Sequence, residues 1–130
     1  MEIKVLKNNQ NLKLKPAKLA VIDIGSNSIR MLIYEDFNSS RVPFFNEKAV
    51  CELGKNLDKS RKLHKSGVDY AQKVLKRFSE ILNVSKIVNL KIIATAVLRE
   101  ATDAKPFVEY VENLFKKKIE ILSGEEEAIC

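Results

Sequence analysis

The sequence predicts an α/β domain in which a mixed five-stranded sheet is flanked by helices. Three observations predict it. Runs rich in Val and Ile, too short for helices, recur along the chain, as in KLAVIDI, IRMLIYE, LKIIATA and KIEIL. Two longer stretches, from Ser66 and from Thr102 or Asp103, carry apolar residues at helical spacing. The elements alternate as β-β-β-α-β-α-β-α, which is a meander followed by crossovers into parallel strands.

Each element has its own signal. KLAVIDI reads as a buried strand and IRMLIYE as the second, with Asn38, Ser39 and Ser40 forming the turn after it. RVPFFNEKAVCEL is a third extended segment, and Pro43 places part of it at a sheet edge or outside the ladder. Residues 54–65 form a polar connection. Ser66 then opens a helix whose apolar face is Val68, Ala71, Val74, Leu75, Phe78, Ile81 and Leu82. LKIIATA is a short buried strand. The next helix tolerates Pro106 in its first turn and turns Phe107, Val111, Leu114 and Phe115 to one side. KIEIL is the last strand, and SGEEEAIC begins a further helix.

Composition sets bounds on function. At 130 residues and 45% hydrophobic, the chain is one domain with a real core. No run reaches the roughly 18 apolar residues of a membrane span, and MEIKVLKNNQ is no signal peptide. Cys51 and Cys130 match no metal spacing and suggest a reducing, cytoplasmic setting. The single histidine, His64, sits in KSRKLHKSG and reads as a solvated helix-edge residue. No catalytic triad or zinc site is available. The net charge of +6 is uneven. Residues 1–18 carry five lysines against Glu2, or +4, while the remainder carries 18 basic against 16 acidic groups, or +2. Residues 1–18 read as a basic arm, either a solvated tail or an extra edge segment. No aromatics interleave with its lysines, so no nucleic-acid partner is expected.

Three polar clusters fall where strands end, which is where α/β sheets gather ligands. The first is Asp23-Ile-Gly-Ser-Asn-Ser28, longer than a plain hairpin turn needs. Gly25 permits a tight turn, and Ser26, Asn27 and Ser28 offer donors to an oxyanion. Arg30 adds a charge-assisted contact if it faces the same side. Asp23 repels a bare phosphate, so it holds a metal, a metal-bound water or the turn itself. A structural turn with an Asx cap accounts for the same residues. The second cluster is ATAVLREA. Thr95 caps a short helical turn, and Arg99 points either to the ligand edge or into an ion pair with Glu100 or Asp103. In the third, SGEEEA, Ser123 and Glu126 fit a capping box, which leaves Glu127 for a general base or for solvent.

Four motifs occur together and in order: VIDIGSNSIRMLIYE, ELGKNLDKSRKLHKSGVDYAQKVLKRF, ATAVLREATDA and IEILSGEEEA. Over about residues 19–130 the chain resembles the exopolyphosphatase/guanosine pentaphosphate phosphatase (Ppx/GppA) family. The resemblance implies an actin-like, ribonuclease-H-like ATPase fold and hydrolysis of terminal phosphates on polyphosphate or (p)ppGpp, the stringent-response nucleotides. It makes residues 23–28 the first phosphate loop, with Arg30 behind it and Thr95 and Arg99 lining the cleft. It makes Glu127 the catalytic base and Mg2+ the expected cofactor. The family's second glycine-rich loop, D-I-G-G-G-S, does not occur between Met1 and Cys130. The chain therefore reads as the first domain of two, incomplete in its metal site and expected to turn over negligibly alone. A homodimer through the uncovered C-terminal surface is a further expectation. A sugar-kinase-like or actin-like ATPase domain shares the first loop, and a non-catalytic polyphosphate or (p)ppGpp sensor remains open.

Overall fold

The computed structural model describes residues 17–37 and 40–124. The elements are β1 (Ala17–Ile24), β2 (Ser28–Phe37), β3 (Ser40–Val50), α1 (Leu57–Ser60), α2 (Lys65–Val84), β4 (Leu90–Ala94), α3 (Ala96–Glu100), α4 (Ala104–Phe115) and β5 (Ile119–Ile121). They form a single five-stranded sheet in the order β3-β2-β1-β4-β5. β1 and β2 are antiparallel, as are β2 and β3. β4 runs parallel to β1, and β5 parallel to β4. The expected mixed sheet is therefore present. β1 begins at Ala17, so the last two residues of the expected basic arm belong to the sheet.

Alternation along the strands decides which face is covered. Ala20, Ile22 and Ile24 of β1 and Ile29, Met31 and Ile33 of β2 are buried, as are Ile92 and Ala94 of β4. They form one cluster with Ala71, Val74, Leu75, Phe78 and Leu82 of α2 and Phe107 and Val111 of α4. Both long helices thus cover the same sheet face. Arg77 of α2 also pairs with Glu47 of β3. The intervening residues Val21, Asp23, Arg30, Leu32, Tyr34 and Ile93 are half-buried on the other face.

The short helical turn expected after Thr95 is present as α3, whereas α1 was not expected within residues 54–65. The polar connection contains α1, where Leu57 and Leu63 are buried anchors. Single leucines in a charged stretch leave no periodicity to detect. α2 starts at Lys65, one residue before the expected Ser66, and His64 holds the N-cap position. His64 Nε2 lies 2.8 Å from Ser66 Oγ, so the His64 ring is engaged locally. β3 is the edge strand, as Pro43 suggested. Its register slips between Ile33 and Tyr34, which face Phe45 and Pro43, leaving Phe44 as the extra, half-exposed residue. Residue 124 is helical, in line with a helix opening at SGEEEA, but the rest of that segment lies outside the described residues.

Candidate phosphate-binding site

The parallel strands β1, β4 and β5 end at one edge of the sheet, with Ile24, Ala94 and Ile121 as their last residues. Backbone bonds lock this edge: Thr95 N–H donates to the Ile24 carbonyl at 3.1 Å, and Leu122 N–H to the Ala94 carbonyl at 2.9 Å. The first two polar clusters thereby meet. The third reaches the same edge through Leu122, although Glu126 and Glu127 lie outside the described residues.

The β1–β2 turn is closed by Gly25 N–H donating to the Ser28 carbonyl at 3.0 Å. Its own carbonyls are taken up by a neighbouring segment. The Asn27 carbonyl accepts from Cys51 N–H at 3.1 Å and Glu52 N–H at 2.9 Å, and the Ser26 carbonyl accepts from Gly54 N–H at 2.9 Å. A second segment, residues 51–54, therefore holds the turn by its backbone. The exposed side chains of Ser26 and Asn27 make no hydrogen bond among the described residues. An elaborate Asx-capped turn would use those side chains internally, and it is not what forms.

Gly25 permits the tight turn by close approach and not by an unusual backbone angle. No glycine has a positive φ. Gly25 matters through proximity, since a Cβ there would stand 3.2 Å from the Ser28 carbonyl oxygen and 4.0 Å from Thr95 Oγ1. The same geometry brings Thr95 beside the turn. Thr95 holds the N-cap position of α3, but its hydroxyl makes no cap bond. The expected capping role is thus corrected: the hydroxyl stays with the edge.

Asp23 and Arg30 are direct cross-strand partners on the face away from the helices. Asp23 Oδ1 is buried without a hydrogen-bond partner among the described residues. Burial pushes its carboxyl above the ordinary range, and the nearby Arg30 guanidinium draws it partly back. Arg30 Nη1 donates to Asn46 Oδ1 of β3 at 2.7 Å. Arg30 is therefore held by an asparagine of β3 that no sequence signal singles out. Arg99 Nη1 donates to the Leu122 carbonyl and fastens α3 to the end of β5. That contact turns Arg99 toward the ligand edge of the sheet, one of its expected directions. Asp103 Oδ1 accepts from Leu63 N–H at 2.9 Å.

No group of three or more His, Cys, Asp or Glu side chains is placed to hold a metal among the described residues. Asp23 supplies one hard oxygen, enough to orient a metal-bound water but not a complete Mg2+ shell. Cys51 is buried, with its thiol pushed up by desolvation, and has the character of a core residue. No helix among the described residues is long and apolar enough to cross a membrane.

Residues 32–130 match the Ppx/GppA phosphatase family. The chain belongs to that family. It is 34% identical over 109 residues to the guanosine-5'-triphosphate,3'-diphosphate pyrophosphatases of Aeromonas hydrophila and Vibrio parahaemolyticus, covering 84% of this chain and 22% of each relative. Among solved structures, the Aquifex aeolicus Ppx/GppA family member superposes with a TM-score of 0.79 at 25% identity, over 86% of this chain and 37% of that one. An exopolyphosphatase from Cytophaga hutchinsonii gives 0.78 at 25% identity, over 86% and 36%. The sheet is thus the actin-like first domain of the Ppx/GppA fold, and the chain spans about a fifth of the length of these curated relatives.

Proposed function

We propose that this Ppx/GppA domain supplies one wall of a phosphoanhydride hydrolase that removes terminal phosphates from polyphosphate or guanosine pentaphosphate. One observation carries the reading: the turn's carbonyls are bonded to residues 51–54, while the Ser26 and Asn27 side chains stay unengaged at the sheet edge beside Thr95. Ser26, Asn27, Ser28 and Thr95 donate to phosphate oxygens, with Gly25 keeping the turn close. Arg30 adds positive charge from behind, and Arg99 holds the end of β5 near the cleft. Glu127 aligns and deprotonates the attacking water. Mg2+, when bound, would neutralise phosphate charge, and Asp23 would hold it through a water. Phosphoryl transfer depends on several such groups acting at once, so this wall alone binds weakly and turns over negligibly.

The test is steady-state phosphate release, with tripolyphosphate and guanosine pentaphosphate as alternative substrates, in a chain extended to the relatives' length. Glu127→Gln is expected to lower kcat by about 10²–10⁴-fold with KM little changed. Asn27→Ala is expected to raise KM instead. A Glu127→Gln enzyme within threefold of the parent would remove that residue from the chemistry. Binding without phosphate release in the extended parent would leave a sensor, and phosphate transfer to an added acceptor would leave a kinase.

A further inference from the structure

The geometry points to Gly54 as a positioning residue for the phosphate loop, a role that rests on the phosphate reading above. A Cβ built on Gly54 would lie 1.9 Å from Ser26 Oγ and 3.0 Å from Ser26 Cβ. The Ser26 hydroxyl therefore rests against the bare Cα of Gly54, in space any other residue would occupy. The backbone conformation does not require glycine there, because no glycine has a positive φ. The Ser26 side chain is what excludes a methyl group. The same two residues are joined by the Gly54 N–H bond to the Ser26 carbonyl. One residue of the 51–54 segment thus bonds the main chain of Ser26 and leaves room for its hydroxyl.

The segment is itself held from behind. A Cβ on Gly67, in the first turn of α2, would stand 2.5 Å from the Cys51 carbonyl oxygen and 3.1 Å from that of Glu52. The Leu53 carbonyl accepts from His64 N–H at 2.9 Å. Helix, segment and turn are stacked with a glycine at each contact, so the donor at Ser26 is referenced to helix α2. Pre-set donors lose less ordering entropy when an oxyanion binds.

The experiment is a four-variant cycle in a chain extended to the relatives' length: parent, Gly54→Ala, Ser26→Gly, and the double variant. Each is titrated with inorganic tripolyphosphate, followed by the amide signals of residues 25–28, and each is melted thermally. Gly54→Ala displaces the hydroxyl and is expected to weaken binding by about tenfold, the loss of one hydrogen bond to a charged group. Ser26→Gly weakens it similarly. The double variant moves the side-chain atoms from one residue to the other, so it should bind no worse than Ser26→Gly and melt nearer the parent than Gly54→Ala does. A merely structural glycine would give additive losses. Gly54→Ala binding within twofold of the parent, or a double variant a further tenfold weaker than Ser26→Gly, overturns the positioning role. A parent that shows no response to tripolyphosphate overturns the phosphate reading, and the positioning role with it. The melting cycle would still report whether the two residues are coupled.

Discussion

The turn at residues 25–28 and the helical corner at 96–99 stand at the same sheet edge and use their polar groups in opposite ways. In the turn, the main chain carries the structural bonds and the side chains of Ser26 and Asn27 are left over. At the corner, a long side chain joins the backbone bonds in building the structure: Arg99 reaches across to the Leu122 carbonyl. The same residue types that announce a ligand site in sequence therefore divide into groups that build the edge and groups left unbonded on it. A donor is available for a ligand when backbone bonds have made it unnecessary to the fold.

That contrast can be broken most severely at Gly67. Gly67→Val forces atoms against the Cys51 and Glu52 carbonyls, which are backbone and cannot swing aside. Overpacking of this kind costs about 1–3 kcal/mol, and this contact belongs at the upper end. Chemical denaturation should show the loss, and signals from residues 25–28 should shift although the mutation lies in α2. A normal turn in a destabilised protein would mean that the stack does not transmit.

Arg99 comes next. Arg99→Ala is expected to cost about 1 kcal/mol of stability, because the Leu122 carbonyl loses a charged donor. An unchanged denaturation midpoint would remove Arg99 from the group that builds the edge.

Asp23 should give a smaller effect of the opposite sign. Its folded-state carboxyl titrates above its ordinary value of 3.8, so the folded state binds the proton more tightly than the unfolded chain. Its contribution to stability is full below that ordinary value and is lost as pH rises through the folded value. Asp23→Asn should therefore raise the melting temperature slightly at neutral pH and leave it unchanged in acid. A loss of stability at neutral pH would show that the ionised carboxylate has a favourable partner. The smallest effect belongs to Asn27→Ala, expected within about 0.5 kcal/mol because the side chain is exposed and unbonded. A larger loss would place Asn27 in the structure of the turn.

The strands and the two long helices were legible because β-branched runs and helical spacing record burial directly. Ile22, Ile24, Ile29 and Ile92 are fully buried, as their runs imply. The meeting of the turn with Thr95 followed from the order of elements, since parallel strands bring their ends to one edge. What the residues did not show was who holds whom. Thr95 is an ordinary N-cap residue in sequence, and only the approach of Gly25 shows where its hydroxyl lies. Asn46 sits in a plain edge strand yet binds Arg30. Glu52 adopts a left-handed conformation, φ 57°, that glutamate does not advertise. These are contacts between segments distant in sequence, and local pattern carries no trace of them. Gly54 and Gly67 were visible as glycines, but the atoms that forbid a side chain there belong to Ser26, Cys51 and Glu52.

The central strand also sets the order in which the chain can fold. β1 finds its first neighbour at once, through the turn to β2, with Ile24 opposite Ile29. Its second neighbour is β4, where Ala20 faces Leu90 across nearly the whole meander and helix α2. Until Leu90–Ala94 is in place, the hydrogen-bonding edge of residues 20–24 is open, beside apolar side chains that later become the core. Loop closure of that length is slow compared with hairpin formation, and an exposed strand edge invites pairing with another chain. A nascent chain on a ribosome passes through that interval every time it is made. Docking of β4 closes that edge, with Ile92 of LKIIA buried against the core as it does so.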